Sequence, residues 1–434
     1  MKKVWKQSMA VVLSAAMALS MTACGGSGET AGNGQAAGSA EGDKGGKITV
    51  AFWDNGQKAG LDQIIKEFTE ATGYEVETQV IEWASYWTLL EAGASGGDMP
   101  DVFWMHSNEV RKYMENDILM DLTDRIAASE KLEMDKFPAE IREFYQNDGK
   151  TYAVPKDIDT IALWYNKTMF DEAGLAYPDD TWTWDDLYEN AVKLTDESKG
   201  QYGIAMNPSN EQDGWMNIIY SMGGHVISDD KKSSGFDDPN TIKAMEFVQK
   251  LISDAMPPAT VMAETGTDVL LGSGKIAMLS QGSWMVSAFK DNEYISQNCD
   301  VAVLPKDAQT GNRVSLYNGL GWAAYAGTKN PEACWELIEW FGSKDMQQKQ
   351  AELGVTMAAY EGVSDLWVEN TDKFNLKPYL EMMDNTVFRP SSRATLTWWN
   401  MMCEELKPVW AGEAQMKDVC PVIAEKMNGM LAEE

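Results

Sequence analysis

KITVAFWDNGQKAGLDQIIKEFTEATGYEVETQVIEW, residues 47–83, decides the fold. KITVAFW is a short β-rich run, after which Leu61, Ile64, Ile65 and Phe68 recur at helical spacing until Gly73 ends the pattern. YEVETQVIEW reads as a second strand, Ser85 to Ala94 as a helical segment, and DVFWM (101–105), after a Gly-Gly-Asp-Met-Pro turn, as a third strand. Repeated strand-helix-strand order predicts an α/β fold with a largely parallel, helix-covered sheet.

A second cycle begins at TYAVPKDIDTIALWYN (151–166). Thr183 followed by Asp186 is a capping box that opens the helix WDDLYENAVKLT. QYGIAMN returns as a strand, DPNTIKAMEFVQKLISDA is a long amphipathic helix, and KIAMLSQGSW and DVAVLP are further strands. A chain of this length usually splits its core, so two sheets are expected. GSGK at 272–275 lacks phosphate-loop spacing and precedes a strand, which makes it a turn.

Upstream of the first strand the chain addresses itself rather than folds. Lys2, Lys3 and Lys6 precede an apolar run from Met9 to Ala23, a positive n-region with a short h-region. Met21-Thr22-Ala23-Cys24 resembles the lipobox of bacterial lipoproteins, which implies a signal peptide over 1–23 and a lipidated Cys24. Residues 24–46 hold mostly Gly, Ala and Ser and read as a flexible tether. The folded part is then expected at the extracytoplasmic face of the cell membrane, held there by the lipid on Cys24.

Composition limits the partners. Of 434 residues, 36 are basic and 67 acidic, a net charge of −31 that would repel phosphate backbones and excludes nucleic acid as a partner. No stretch beyond the leader approaches eighteen uninterrupted apolar residues, so no later span is expected. Cys299, Cys334, Cys403 and Cys420 are widely spaced, and sequence does not choose among their possible pairings. His106 and His225 lie far apart without zinc-site spacing, so neither a metal nor a cofactor is expected.

DVFWMHSNEVRKYMENDILMDLTD, YAVPKDIDTIALWYNKTMFDEAGLAYPDDTWTWDDL, SGKIAMLSQGSWM and NGLGWAAYAGTKNPEACWELIEWFGSKD, in that order, resemble the family 1 extracellular solute-binding proteins. These are the carbohydrate receptors of ABC importers, of which the maltose-binding protein is a distant member. The resemblance implies a two-lobed, type II clam-shell fold, acting as a monomer and handing sugar to permease subunits. It implies crossings near Pro155 to Thr160, Leu304 to Lys306 and 355–365. Lobe 1 would then comprise 47–157 and 306–360, and lobe 2 residues 158–305 and 361–434.

Sugar capture requires flat aromatic platforms for the C–H faces of a pyranose and a few polar groups for its hydroxyls. The chain has 17 tryptophans, several placed where a strand meets a loop: Trp53 with Asp54, Trp104 before His106, Ser107 and Asn108, Trp284, and Trp322 in NGLGW. Trp182, Trp184, Trp335 and Trp340 fit helix packing instead. The family likeness adds Glu82 at the end of the second strand, Asp157 and Asp159 on the crossing strand, Trp215, Trp398 (with Trp399 as its substitute) and Arg389. It assigns ring stacking to Trp104 and Trp284. Ser107-Asn108 stand where a maltose-type site carries an Asp-Arg pair, which argues against maltose itself. Two other readings remain open: a non-sugar cargo such as glycerol phosphate, a peptide or a polyamine, and a glycoside hydrolase using two of Asp54, Glu82, Asp157 and Asp159.

Overall fold

Helix formation in the opening stretch follows its apolar spacing: Leu61, Ile64, Ile65 and Phe68 are all buried on one face, and Gly73 caps the helix in the left-handed conformation (φ 81°). A computed structural model describes residues 46–208 and 212–434, so Cys24 and the leader lie outside the described residues. Along the chain come β1 (Lys47–Phe52), α1 (Lys58–Thr72), β2 (Glu75–Val80), α2 (Trp83–Gly96), β3 (Val102–Met105), α3 (Val110–Glu115), β4 (Ala153–Pro155) and β5 (Ile161–Asn166). There follow α4 (Trp184–Leu194), β6 (Tyr202–Ala205), α5 (Trp215–Ser221), α6 (Pro239–Asp254), β7 (Ile276–Gly282), α7 (Val286–Asp291) and β8 (Cys299–Ala302). The chain closes with β9 (Ser315–Tyr317), β10 (Gly321–Ala324), α8 (Pro331–Gly342), α9 (Lys344–Glu352), β11 (Thr386–Phe388), α10 (Thr395–Trp410) and α11 (Met416–Leu431).

These strands form two main sheets, ordered β2-β1-β3-β10-β4 and β8-β5-β7-β6. β3, β5 and β7 are buried along their whole length, as strands covered by helices on both faces must be. The sheets are mixed rather than largely parallel. β1 pairs in parallel with β2 and β3, and β6 with β7, but β10 runs antiparallel to β3 and β4, and β5 antiparallel to β7 and β8. The physical reason is the crossover: β5 and β10 each enter their sheet from the other lobe, against the local strand direction.

The first passage between sheets is Lys156–Thr160. Asp157 pairs with Ala358 and Asp159 with Asn318 in antiparallel bridges, so three chain segments lie side by side at the junction. The second passage does not fall at Leu304–Lys306. Lys306 exchanges hydrogen bonds with Trp182 (2.9 Å) and Trp184 (3.0 Å), and Leu316 N–H donates to Asn217 Oδ1 (2.8 Å), so the chain stays with the second sheet through β9. It crosses only at Asn318–Leu320. β9 also pairs in parallel with β11, which ties the segment ahead of Arg389 to this junction.

Local sequence choices are realised as the chemistry requires. The Thr183–Asp186 capping box is complete in both directions, a device that contributes about 1 kcal/mol to a helix. Gly274 (φ 67°) makes GSGK a turn into β7. The four described cysteines form no disulfide, and Cys299, Cys334 and Cys420 are buried. Trp182, Trp184 and Trp335 are likewise buried, and Trp340 is half-buried with its ring edge-on to Phe68. No helix among the described residues is long and apolar enough to cross a membrane.

Candidate functional site

The loops that leave the carboxyl ends of β1, β3 and β7 meet at the junction of the two sheets. Trp53 and Asp54 follow β1. Asp54 holds its own loop in shape, accepting from Gly56 N–H (2.8 Å) and the Gln57 amide (2.9 Å). Gly56 is needed there for closeness: a Cβ at this position would lie 3.2 Å from Ala288 N on α7 of the other lobe. The two lobes also touch where Ser287 Oγ–H donates to Gly354 O (2.9 Å) and where Arg393 pairs with Glu115 (2.9 Å).

An aromatic corner forms the first-lobe wall. Trp53 is half-buried and packs edge-on against Trp83 (5.0 Å), Tyr86 (5.0 Å) and Trp104 (4.9 Å), with Trp87 and His106 also in reach. Tyr86 pins the corner from below, its hydroxyl donating toward Ala51 O and Trp104 O. His106 Nδ1 accepts from Asn108 N–H (3.2 Å), and its Nε2 lies 3.4 Å from the Asn318 side-chain amide. Burial, reinforced by the Arg389 guanidinium, pushes the imidazole down to about 3, so the ring is neutral at physiological pH.

Several of the expected ring positions are enclosed by packing in this structure. Trp104 is 0 % exposed, enclosed by Phe52, Trp53 and Trp322, with Lys156 Nζ 4.3 Å from its ring centroid. It has no open face for a sugar because β3, central in its sheet, is covered on both sides. Trp322 is also 0 % exposed and stacks on Phe341 at 4.1 Å, since β10 lies between β3 and β4. Trp215 lies buried against Phe236, and Trp398 is buried with its indole N–H donating to Ser392 Oγ (3.0 Å). Trp399, the substitute for Trp398, is half-buried. Trp104, Trp322, Trp215 and Trp398 are thus enclosed by packing, while Trp399 keeps part of its ring open.

The carboxylates divide by role. Asp157 is buried, accepting from Leu320 N–H (2.8 Å) and bonded to Lys156 Nζ (2.5 Å), which also donates to Gln57 Oε1 (2.9 Å). It is therefore a structural anchor behind the Asp54 loop. Asp159 accepts from Gln212 Nε2 (2.7 Å), and burial together with the nearby Asp157 charge pushes its carboxyl well above the usual range. Burial likewise raises Asp54, and it brings Glu109, directly after Asn108, up to about 6. Glu82 is exposed beside Trp83 and occupies the N-cap of α2 without a side-chain capping hydrogen bond.

Trp284 is half-buried at the end of β7, where its ring lies against Gly282; a Cβ there would meet the ring at 2.0 Å. Arg389 is buried after β11, its N–H donating to Tyr317 O (3.0 Å), close enough to act on His106, Glu109 and Asp159. Ser107 Oγ, Ser283 Oγ and Asn318 Oδ1 are buried without a hydrogen-bond partner, which marks them as groups able to take a ligand hydroxyl. Sequence reasoning missed Trp83, Trp87, Gln212, Lys156 and Asn318. Trp83 and Trp87 had a signal, since both follow β2 as Trp53 follows β1; Gln212 and Asn318 had none.

Two lobes with mixed sheets, joined by three adjacent segments and facing each other across aromatic and polar side chains, define the class of two-lobed solute-binding proteins. Residues 63–375 match the model of the bacterial extracellular solute-binding proteins, and the chain belongs to that family. It is 27% identical over 330 residues to a maltotriose-binding protein of Pyrococcus abyssi, covering 74% of this chain and 69% of the relative. Identity to a galactooligosaccharide-binding protein of Bacillus subtilis is 24% over 358 residues, covering 77% and 76%. In fold it is similar to an ABC substrate-binding protein of Listeria monocytogenes solved with cycloalternan, with a TM-score of 0.82 and 21% identity over 90% of this chain and all of that one.

Proposed function

We propose that this protein is the extracytoplasmic substrate-binding lipoprotein of an ABC importer, capturing a mono- or oligosaccharide between its lobes for delivery to the permease. The observation that carries this reading is the corner at the sheet junction: half-open Trp53, linked through His106 to Asn318, with the buried Asp159–Gln212 pair alongside Asn318. Stacking on such rings recovers apolar area, while the buried polar groups reward the correct hydroxyl and penalise its absence. Relatives named for maltotriose and galactooligosaccharide binding support the cargo class. Sugar contacts to both walls favour the closed arrangement of the lobes.

The rival readings find less support. A phosphate cargo needs cationic donors; Lys156 is committed to Asp157 and Gln57, and buried Arg389 lies among the Glu109 and Asp159 carboxyls, which disfavour a second anion. Asp54 and Asp157 already accept hydrogen bonds from their own backbone surroundings, an arrangement that suits scaffolding better than acid catalysis. The lipid anchor rests on the Cys24 motif; Cys24→Ser should abolish membrane attachment, and attachment retained in that variant would overturn it.

The test is intrinsic tryptophan fluorescence of residues 25–434 titrated with a panel of saccharides. A saturable change with one sugar class, without turnover of that sugar, supports the reading. Silence across the panel from folded protein would shift the assignment to a non-sugar cargo.

A further inference from the structure

Trp83 opens α2 at the outer end of the aromatic corner, and it is 45% exposed. Isolated exposed apolar side chains are ordinary. This one is not isolated, because three rings hold it edge-on: Trp53 at 5.0 Å and 76°, Trp87 at 5.6 Å and 88°, and His106 at 5.5 Å and 70°. The contrast with Tyr177 is informative. Tyr177, the other exposed large aromatic among the described residues, packs on Tyr165 of β5 and on Phe170, away from the candidate site, and its hydroxyl is bonded to Asp171. Trp83 instead touches two residues of the candidate site.

We propose that Trp83 is an outer stacking platform that extends the cleft beyond its first sugar position, so that the site selects saccharides of two or more rings. This inference rests on the sugar reading above. Three edge contacts immobilise the indole before ligand arrives, so stacking costs little further ordering. His106 links the ring to the junction, since its other side faces Asn318 at 3.4 Å. A saccharide whose first ring meets Trp53 and the Asn318–Asp159 groups therefore has its next ring directed along the row Trp104, Trp53, Trp83, from the buried end to the open one. Glu82, exposed beside Trp83, supplies a carboxylate for the hydroxyls of that second ring.

The experiment is calorimetric titration of wild type, Trp83→Ala and Trp83→Phe with glucose, maltose and maltotriose, and with galactose and its di- and trisaccharides. Thermal melts of each variant check the fold. Wild type should bind the longer members more tightly than the monosaccharide by at least about tenfold, the factor expected for stacking one further ring. In Trp83→Ala that ratio should fall toward one, and Trp83→Phe should restore most of it. If wild type binds a sugar and Trp83→Ala keeps the same preference for length, the inference is overturned while the sugar reading stands. Wild type that binds only a monosaccharide overturns it equally. Folded wild type that binds no saccharide of the fluorescence panel overturns both.

Discussion

The two walls of the cleft are built differently. On the first lobe Trp53, Trp83, Trp87 and His106 form a continuous aromatic surface, resting on Trp104 and Trp322, which are buried completely. On the second lobe Trp284 is a single half-open ring beside the buried hydroxyl of Ser283, with Trp215 and Trp398 withdrawn into packing. One wall offers area and the other, with the junction residues Asp159, Gln212 and Asn318, offers direction. The difference teaches that residue type does not make a platform; the position of the ring relative to the sheet does.

The largest expected effect comes from breaking the aromatic wall at its centre. Trp53→Ala should lower sugar affinity by about a hundredfold or more and cost about 3 kcal/mol of stability, because its ring contacts all the other members of the corner. Calorimetry and chemical denaturation read the two losses separately. On the opposite wall, Trp284→Ala should weaken binding by roughly tenfold to a hundredfold with little loss of stability, since the ring is half-open and lies on Gly282. Wild-type affinity in this variant would remove the second lobe from sugar stacking.

Trp104→Phe sharpens the contrast from the other side. It should cost on the order of 2 kcal/mol of stability through the cavity it leaves, with affinity reduced less than in Trp284→Ala. A larger affinity loss than stability loss would restore Trp104 to the binding surface. A further effect concerns pH and acts on stability rather than on affinity. The imidazole of His106 has a folded pKa near 3, below its unfolded value, so the unfolded chain takes up a proton first as pH falls. The stability present above about pH 6.5 is then progressively lost down toward pH 3, by at most on the order of 1 kcal/mol per pH unit. His106→Gln should flatten that part of the acid-unfolding curve; an unchanged slope would mean that the ring titrates normally.

Much of the fold was legible because its signals are local. The spacing of Leu61, Ile64, Ile65 and Phe68, the Thr183–Asp186 box and the β-rich runs each depend on neighbours within one turn or one strand. The mixed strand directions were not legible, because they arise where β5 and β10 arrive from the opposite lobe, a property of topology. The same holds for the second crossing, where the hydrogen bonds of Lys306 to Trp182 and Trp184 keep the chain with the second sheet for a further stretch. At the site, sequence located the strand ends that carry Trp53, His106 and Trp284. It could not separate half-open Trp53 from buried Trp104, since it does not show that Trp53 falls just beyond β1 while Trp104 lies within β3, paired with Trp322 in the ladder.

The central claim is that an uncharged sugar, held by rings and buried hydrogen-bonding groups, is the cargo. Its most direct test is calorimetric titration of the protein with the saccharide series at about 0.05 M and about 0.5 M salt, a range over which exposed ionic attractions are largely screened. The account predicts saturable binding of a neutral saccharide with the same affinity at both salt concentrations. Binding confined to a charged solute and weakened by salt, with no neutral sugar bound, would contradict it.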